Sequence, residues 1–505
     1  MRAAYILGFL SAWRAAAQLT GPVGPTTSLS KKVTECNILN YGAVNDNSTD
    51  AADAIEKAFK TCVLPHAGSR LIVPDGQYLI KRTVILSNGT NWAFQLDGLI
   101  TLAYGGNWTV DRELILQGFA GVGPLNATIN GEGDGQFLQN GITIINPVDF
   151  EFYSENGKGA IQGQGYLYRN LAKYGIQRPW SERQSLTDLS TFRPRLVRLI
   201  SPTNTAVHDL ILVDSPKFHI VFDFAVNLEV YHLTIRGANL GSYDGVDVVG
   251  TNYWIHDIEV TNRDECVSVK SPSNHALVEN LVCNQAGSGI SIGSLNVSAS
   301  IANIHARNIS IIQGNNIAFI KTYPGGSGYV TNVTFENFRS KASLYGLDIN
   351  QYWQNTLQPD TGAVALSNLV FRNFSGSVAD GVKRPPLYLV ANDLTFATNV
   401  IVEDFTIWTE SGTSVVNKIS NIFGKGDNSY GPGNGIKTLG PKESPVPYTS
   451  TYTITAAPPG WVAPPSPDWA LPNTGYGTDV PIPVYNPAAL WKPQGDYDKH
   501  YWGSF

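Results

Sequence analysis

Charge is what this sequence has least of. Only 15% of its 505 residues are Asp, Glu, Lys or Arg, against about 25% in an average soluble protein. The 35 basic residues form no cluster and are outnumbered by 41 acidic ones, leaving a net charge of −6. A phosphate-backbone binder concentrates Lys and Arg on one surface, so nucleic acid is not an expected partner. No apolar run reaches about 18 residues, so no membrane-spanning segment is expected. Cysteine is scarce as well. There are four, Cys36, Cys62, Cys266 and Cys283, with no CxxC pair and no clustered His, which argues against a metal site. What is plentiful is glycine, 49 residues, beside 43% hydrophobic and 11% aromatic content. That balance excludes intrinsic disorder and suits a turn-rich β protein.

Residues 1–17 read as a signal peptide: Met1-Arg2, an apolar stretch from Ala3 to Trp13, then Ala15-Ala16-Ala17 before Gln18. A buried N-terminal helix is the alternative, favoured slightly by Arg14. Two further features suit a secreted, extracellular chain. In an oxidising compartment the cysteines pair most simply as Cys36–Cys62 and Cys266–Cys283. Eight Asn-x-Ser/Thr sequons are candidates for glycosylation, at Asn47, Asn88, Asn107, Asn126, Asn296, Asn308, Asn332 and Asn373.

A short phrase recurs along the middle of the chain, apolar residues alternating around a polar pair. It begins as Val207-His208-Asp209-Leu210 and Tyr231-His232-Leu233, and ends as Phe371-Arg372-Asn373-Phe374 and Val402-Glu403-Asp404-Phe405. From Asp209 the steps are 23, 25, 23, 28, 29, 36 and 31 residues. Such self-similarity means a solenoid. Short β-branched runs between Gly, Asn, Asp and Ser leave no room for amphipathic helices, so the expected fold is all-β, a single right-handed parallel β-helix. Asp50 to Cys62 reads as a short N-terminal helix capping its open end. The β-helix is expected over residues 18–440. Residues 441–505 hold 13 of the 29 prolines and four tryptophans, and form an extension that is either a flexible tail or a strap docked on the solenoid.

Stacking Gly245–Val249, Cys266–Lys270 and Gly289–Gly293 in register places valines and isoleucines in the core. Asp244 then lies one coil from Glu265, 21 residues on, with Asp264 beside it. Crowded carboxylates repel, so at least one keeps its proton, as an acid/base pair requires. A lone Asp at such a turn usually caps backbone N–H groups, but that explains three adjacent acids poorly. Lys270 and Lys321 take the matching outer position two coils apart, and Asp247 is a weaker candidate for support or substrate contact.

These residues carry a family resemblance. Ser242-Tyr243-Asp244-Gly245-Val246-Asp247, Arg263-Asp264-Glu265-Cys266, Gly287-Ser288-Gly289 and Ile320-Lys321 resemble the NTD, DD, GHG and RIK motifs of glycoside hydrolase family 28. The departures, Ser242, Glu265, Ser288 and Phe319, together with the stretch Asp264–Pro272, are similar to its rhamnogalacturonan hydrolase branch. The resemblance implies an inverting pectinolytic hydrolase acting on rhamnogalacturonan I, without a cofactor or metal. Asp264 would protonate the glycosidic oxygen, while Asp244 and Glu265 would hold and deprotonate the attacking water. Inversion would need acid and base about 6.5–9.5 Å apart. Lys270 and Lys321 would bind galacturonate carboxylates or balance the acids' charge, two roles that can coexist. Ser288 would fill the place of the family's His. Tyr352 and Trp353 could form a stacking wall for sugar, or pack beneath loops. A monomer acting inside the polymer is expected. An exo-acting relative, with loops at 177–195 and 421–440 closing the cleft, a pectate lyase and a polysaccharide-binding β-helix are the rivals. The three acids must meet in a groove open to solvent for the hydrolase reading to stand.

Overall fold

A computed structural model describes residues 18–108, 139–169, 193–238, 243–355, 360–380, 385–413, 415–426, 448–452, 455–465 and 480–493. The segment 1–17, Ser242 and Asn126 lie outside them, as do most of the two loops considered for cleft closure.

Parallel pairing repeats from coil to coil because apolar residues, β-branched in most coils, recur at the same place in each turn. Val207, Val230, Ile255, Val278, Ala306, Phe335, Phe371 and Val402 stack in one column, each register partner of the next. All eight are buried in one continuous core. The architecture is the expected parallel β-helix, in which neighbouring coils lie about 4.8 Å apart.

The recurrent phrase marks something the sequence reading did not foresee. Its polar member is a corner inside a long strand, and the coil-to-coil pairing skips it. Asp209, His232, Asp257, Asn280, Asn308, Asn337, Asn373 and Asp404 all have positive φ, between 47° and 59°. Asn and Asp tolerate this left-handed conformation better than other side chains, which explains their recurrence. The corners bond to one another: Asn308 donates to Asn280 at 3.2 Å, Asn337 to Asn308 at 3.1 Å and Asn373 to Asn337 at 2.6 Å. The sequons at Asn308 and Asn373 therefore sit inside a ladder that uses their amide groups.

The first coil is closed as expected. The helix Ala52–Ala58, continued by a wider turn at Phe59–Val63, buries Ile55, Ala58 and Phe59. Phe59 packs on Trp92 with ring centroids 4.9 Å apart, and Cys36–Cys62 ties the cap to the first strand. The Asp50 carboxylate accepts from the N–H groups of Ala52 and Lys81, each at 3.1 Å. Asp50→Ala should lower stability by about 1 kcal/mol, the usual worth of a capping carboxylate. Urea unfolding would measure this as a lower midpoint at constant slope.

Described segments toward both ends of the chain strap the solenoid. Backbone N–H groups of Thr20, Thr26 and Thr27 donate to Asn252 and Asp149, and Gly24 to the Asn227 carbonyl. At the other end Ile482 and Trp491 pack on Ala160, Ile211 and Val213, and the strand Tyr448–Tyr452 pairs antiparallel with Val415–Ser420. Trp461 meets Trp408 edge-on at 4.6 Å. The described parts of the extension are thus docked. No described helix is long and apolar enough to cross a membrane.

Candidate active site

Register brings the acids together. Val246 pairs with Val267 and Glu265 with Ser288, so the position of Asp244 continues into Glu265 on the next coil. The Gly245 N–H donates to the Glu265 carbonyl at 2.9 Å, and the Asn262 amide donates to the carbonyls of Tyr243 and Glu265. The second disulfide, Cys266–Cys283, anchors the strand start beside Glu265. Gly287 is needed for close approach. Its N–H donates to the Asp264 carbonyl at 2.6 Å, and a Cβ there would lie 2.7 Å from the Asp264 backbone.

Carboxylate oxygens of Asp244, Asp264 and Glu265 lie within 4.8 Å of one another. That is tighter than the acid–base spacing inferred from inversion. The cluster is also more enclosed than a groove open to solvent: Asp244 and Glu265 are 3% and 4% exposed. Asp264, half-buried, is the one a solvent-borne group can reach. Its Oδ1 accepts the Glu265 N–H at 3.2 Å.

The lysines explain how acids tolerate such crowding. Lys321 Nζ is ion-paired with Glu265. Lys270 Nζ lies 3.8 Å from Asp247 and donates to the Gly293 carbonyl at 3.0 Å. Gly293 has φ +123°, and a Cβ there would strike the Lys321 carbonyl at 2.2 Å, so this bend requires glycine. Of the two roles considered for the lysines, the geometry displays charge balance. The acids are also spaced to hold a cation, but the two ammonium groups already occupy that electrostatic role.

The four carboxyl groups are not equivalent. Burial, reinforced by the charges of Asp247, Asp264 and Glu265, pushes Asp244 well above the usual carboxylate range. Asp247, fully buried, is also raised by burial, with Lys270 opposing. The Asp247 carboxyl lies 3.8 Å from the Lys270 ammonium, and the neighbouring Asp244 carboxyl also acts to lower it. Burial would raise Glu265 too, yet the Lys321 charge, the Asp264 hydrogen bond and Lys270 outweigh it and hold it low. One carboxyl is kept protonated and one ionised, the division that acid/base chemistry needs.

The remaining candidates separate. Trp353 lies beside the cluster, meeting Phe319 edge-on at 5.2 Å, and both rings lie 5.3 Å from the Lys321 ammonium. Phe319 stands where the family pattern has Arg, and its ring packs against the ammonium. Tyr352 turns away: its hydroxyl accepts the Asp393 N–H at 2.9 Å and braces a loop. Ser288, beside Glu265 in register, is fully buried, so it offers no surface to a sugar. The sequence reading missed His219. Its backbone N–H donates to the Asp244 carbonyl at 2.9 Å, and Nδ1 lies 2.9 Å from the same oxygen. Burial lowers that imidazole to about 4, so it stays neutral. Nothing in Ser215-Pro216-Lys217-Phe218-His219 beyond a turn signals this role.

Comparison with known proteins agrees with this geometry. The sequence profile described as Glycosyl hydrolases family 28 matches residues 69–426. Rhamnogalacturonase A of Aspergillus niger is 38% identical over 471 residues, covering 92% of this chain and 91% of its own. Rhamnogalacturonase A of Aspergillus aculeatus is 37% identical over 469 residues, 92% of each chain. Among solved structures, an endo-xylogalacturonan hydrolase from Aspergillus tubingensis superposes with TM-score 0.60 at 24% identity, over 75% of this chain and 94% of that one. An exopolygalacturonase from Thermotoga maritima gives 0.62 at 16% identity, over 87% and 98%. These two likenesses establish the shared fold; the profile match and the sequence identities establish the family. With its coil register, its clustered acids and these relatives, the chain belongs to glycoside hydrolase family 28.

Proposed function

We propose that this chain hydrolyses galacturonosyl–rhamnose bonds inside the rhamnogalacturonan I backbone of pectin, with inversion. The observation that carries the chemistry is the division of charge in the acid cluster. Glu265, kept ionised by Lys321, is suited to take a proton from water. Asp244, kept protonated by its neighbours, is suited to orient that water. Asp264, the accessible acid, is suited to protonate the leaving oxygen in the state in which it holds its proton. The substrate rests on the relatives named rhamnogalacturonase. Secretion is part of the reading: two disulfides belong to an oxidising compartment, and the sequons at Asn47, Asn88 and Asn296 are exposed.

Chromatography of products from deacetylated rhamnogalacturonan beside polygalacturonic acid tests the substrate. Oligosaccharides should form from the first, with an early fall in viscosity. Release from polygalacturonic acid alone would overturn the substrate, and steady release of one small sugar would overturn the endo mode. Proton NMR of the first products should show the opposite anomeric configuration to the bond cleaved. Retained configuration would mean that one of the closely spaced carboxylates attacks the sugar directly.

A further inference from the structure

Asp244 and Glu265 stand on successive coils, and the groups that tie their turns together are buried behind them. Asn262 opens the short turn, between the strands Val246–Thr261 and Glu265–Asn284, that also carries Asp264. Its amide donates to the Tyr243 carbonyl at 2.8 Å and to the Glu265 carbonyl at 3.4 Å. One side chain thus grips both the residue before Asp244 and Glu265 itself. From the preceding coil His219 holds Asp244 twice, with its backbone N–H and its Nδ1 each 2.9 Å from the Asp244 carbonyl oxygen. A carbonyl only accepts, so Nδ1 carries the proton of this neutral imidazole. Asn262, His219 and Tyr243 are all fully buried.

The two side chains share one hollow. Gly237 follows the strand Ile220–Arg236, and its N–H donates to the Thr261 carbonyl at 2.7 Å, just before Asn262. A Cβ on Gly237 would lie 2.4 Å from His219 Cε1 and 3.4 Å from Asn262 Cβ, so a larger residue there would displace the imidazole. We propose that Asn262 and His219, packed against Gly237, are positioning residues that fix the separation of the Asp244 and Glu265 carboxyl groups. This rests on the acid roles proposed above and deepens them. The separation matters because the interaction of two carboxyl groups falls with distance. Burial raises Asp244 most, then the charges of Asp247, Asp264 and Glu265, with Lys270 opposing. The Glu265 share of that push is what the brace holds constant. Were the two turns to drift apart, Asp244 would lose its proton at lower pH.

The test compares wild type with Asn262→Ala, His219→Ala, His219→Asn and Gly237→Ala on rhamnogalacturonan. The three Ala variants should each lower kcat about 10²-fold, the effect of about 1 Å of misplacement, with KM within about twofold. All three positions are buried, so none touches the polymer. The alkaline limb of their pH–rate profiles should move to lower pH. His219→Asn, whose amide can donate from the place of Nδ1, should recover most of the rate. A merely structural role would lower the unfolding midpoint and leave the pH limbs in place. Native kcat, or a lowered kcat with unmoved limbs, overturns the brace. Should Asn262→Ala fail to fold, Gly237→Ala decides by the same readings, since it keeps both gripping side chains. Carboxyl-carbon NMR of Asp244 reads the displacement without substrate: its titration midpoint should fall in Gly237→Ala, and an unchanged midpoint overturns the brace. That measurement needs no turnover, so a wild type inert on rhamnogalacturonan would count against the substrate reading alone.

Discussion

Asp264→Asn is expected to lower kcat and kcat/KM together by about 10³-fold, the usual worth of a positioned proton donor. The fold should survive unharmed. Asn keeps the Oδ1 that accepts the Glu265 N–H, and it fills the same half-buried place. A variant that is inactive, normally folded and no less resistant to urea would fit a residue retained for chemistry. Near-native turnover would remove Asp264 from the donor role, and inactivity with unfolding would show a structural one.

How far the site could be read from sequence depends on which geometry is fixed locally. Parallel coils pair residue by residue, so the 21 residues from Asp244 to Glu265 sufficed to bring the acids together. The same logic predicted the valine and isoleucine columns, while both disulfides followed from pairing neighbouring cysteines in an oxidising compartment. What spacing could not convey is direction after a corner. The polar residue of each phrase was visible as a period, but its left-handed φ turns the chain and decides which side chains face one another. That is why Tyr352 bracing Asp393 and His219 gripping Asp244 had no sequence signature. The closeness of the carboxylates was underestimated for a different reason. The wider spacing was carried over from the inverting resemblance, while Lys321 beside Glu265 and Lys270 beside Asp247 let the carboxylates sit closer.

Lys321→Met should damage both stability and activity, and the pair logic says how. Lys321 and Glu265 are 7% and 4% exposed and bonded to each other. Removing one partner of a buried pair leaves an uncompensated charge and costs about 3–5 kcal/mol. Glu265 would then regain a proton, since burial alone raises it. The acid limb of the pH–rate profile should therefore move upward, because water activation needs the ionised form. Linkage fixes where wild type benefits. Glu265 is depressed in the fold, so its contribution is present above its unfolded pKa, about 4.3, and fades as pH falls. Lys321 is raised, so its share is present below about 10.4 and fades as pH rises. Asp244 works the other way from Glu265: raised by burial, it favours the fold at low pH and penalises it once ionised. The double variant Glu265→Gln, Lys321→Met should regain most of the lost stability, a strong coupling between neighbours, yet remain inactive. Unfolding free energies across the cycle measure this. Additive losses would mean the two side chains stabilise the fold independently, and activity in the double variant would remove Glu265 from the role of base.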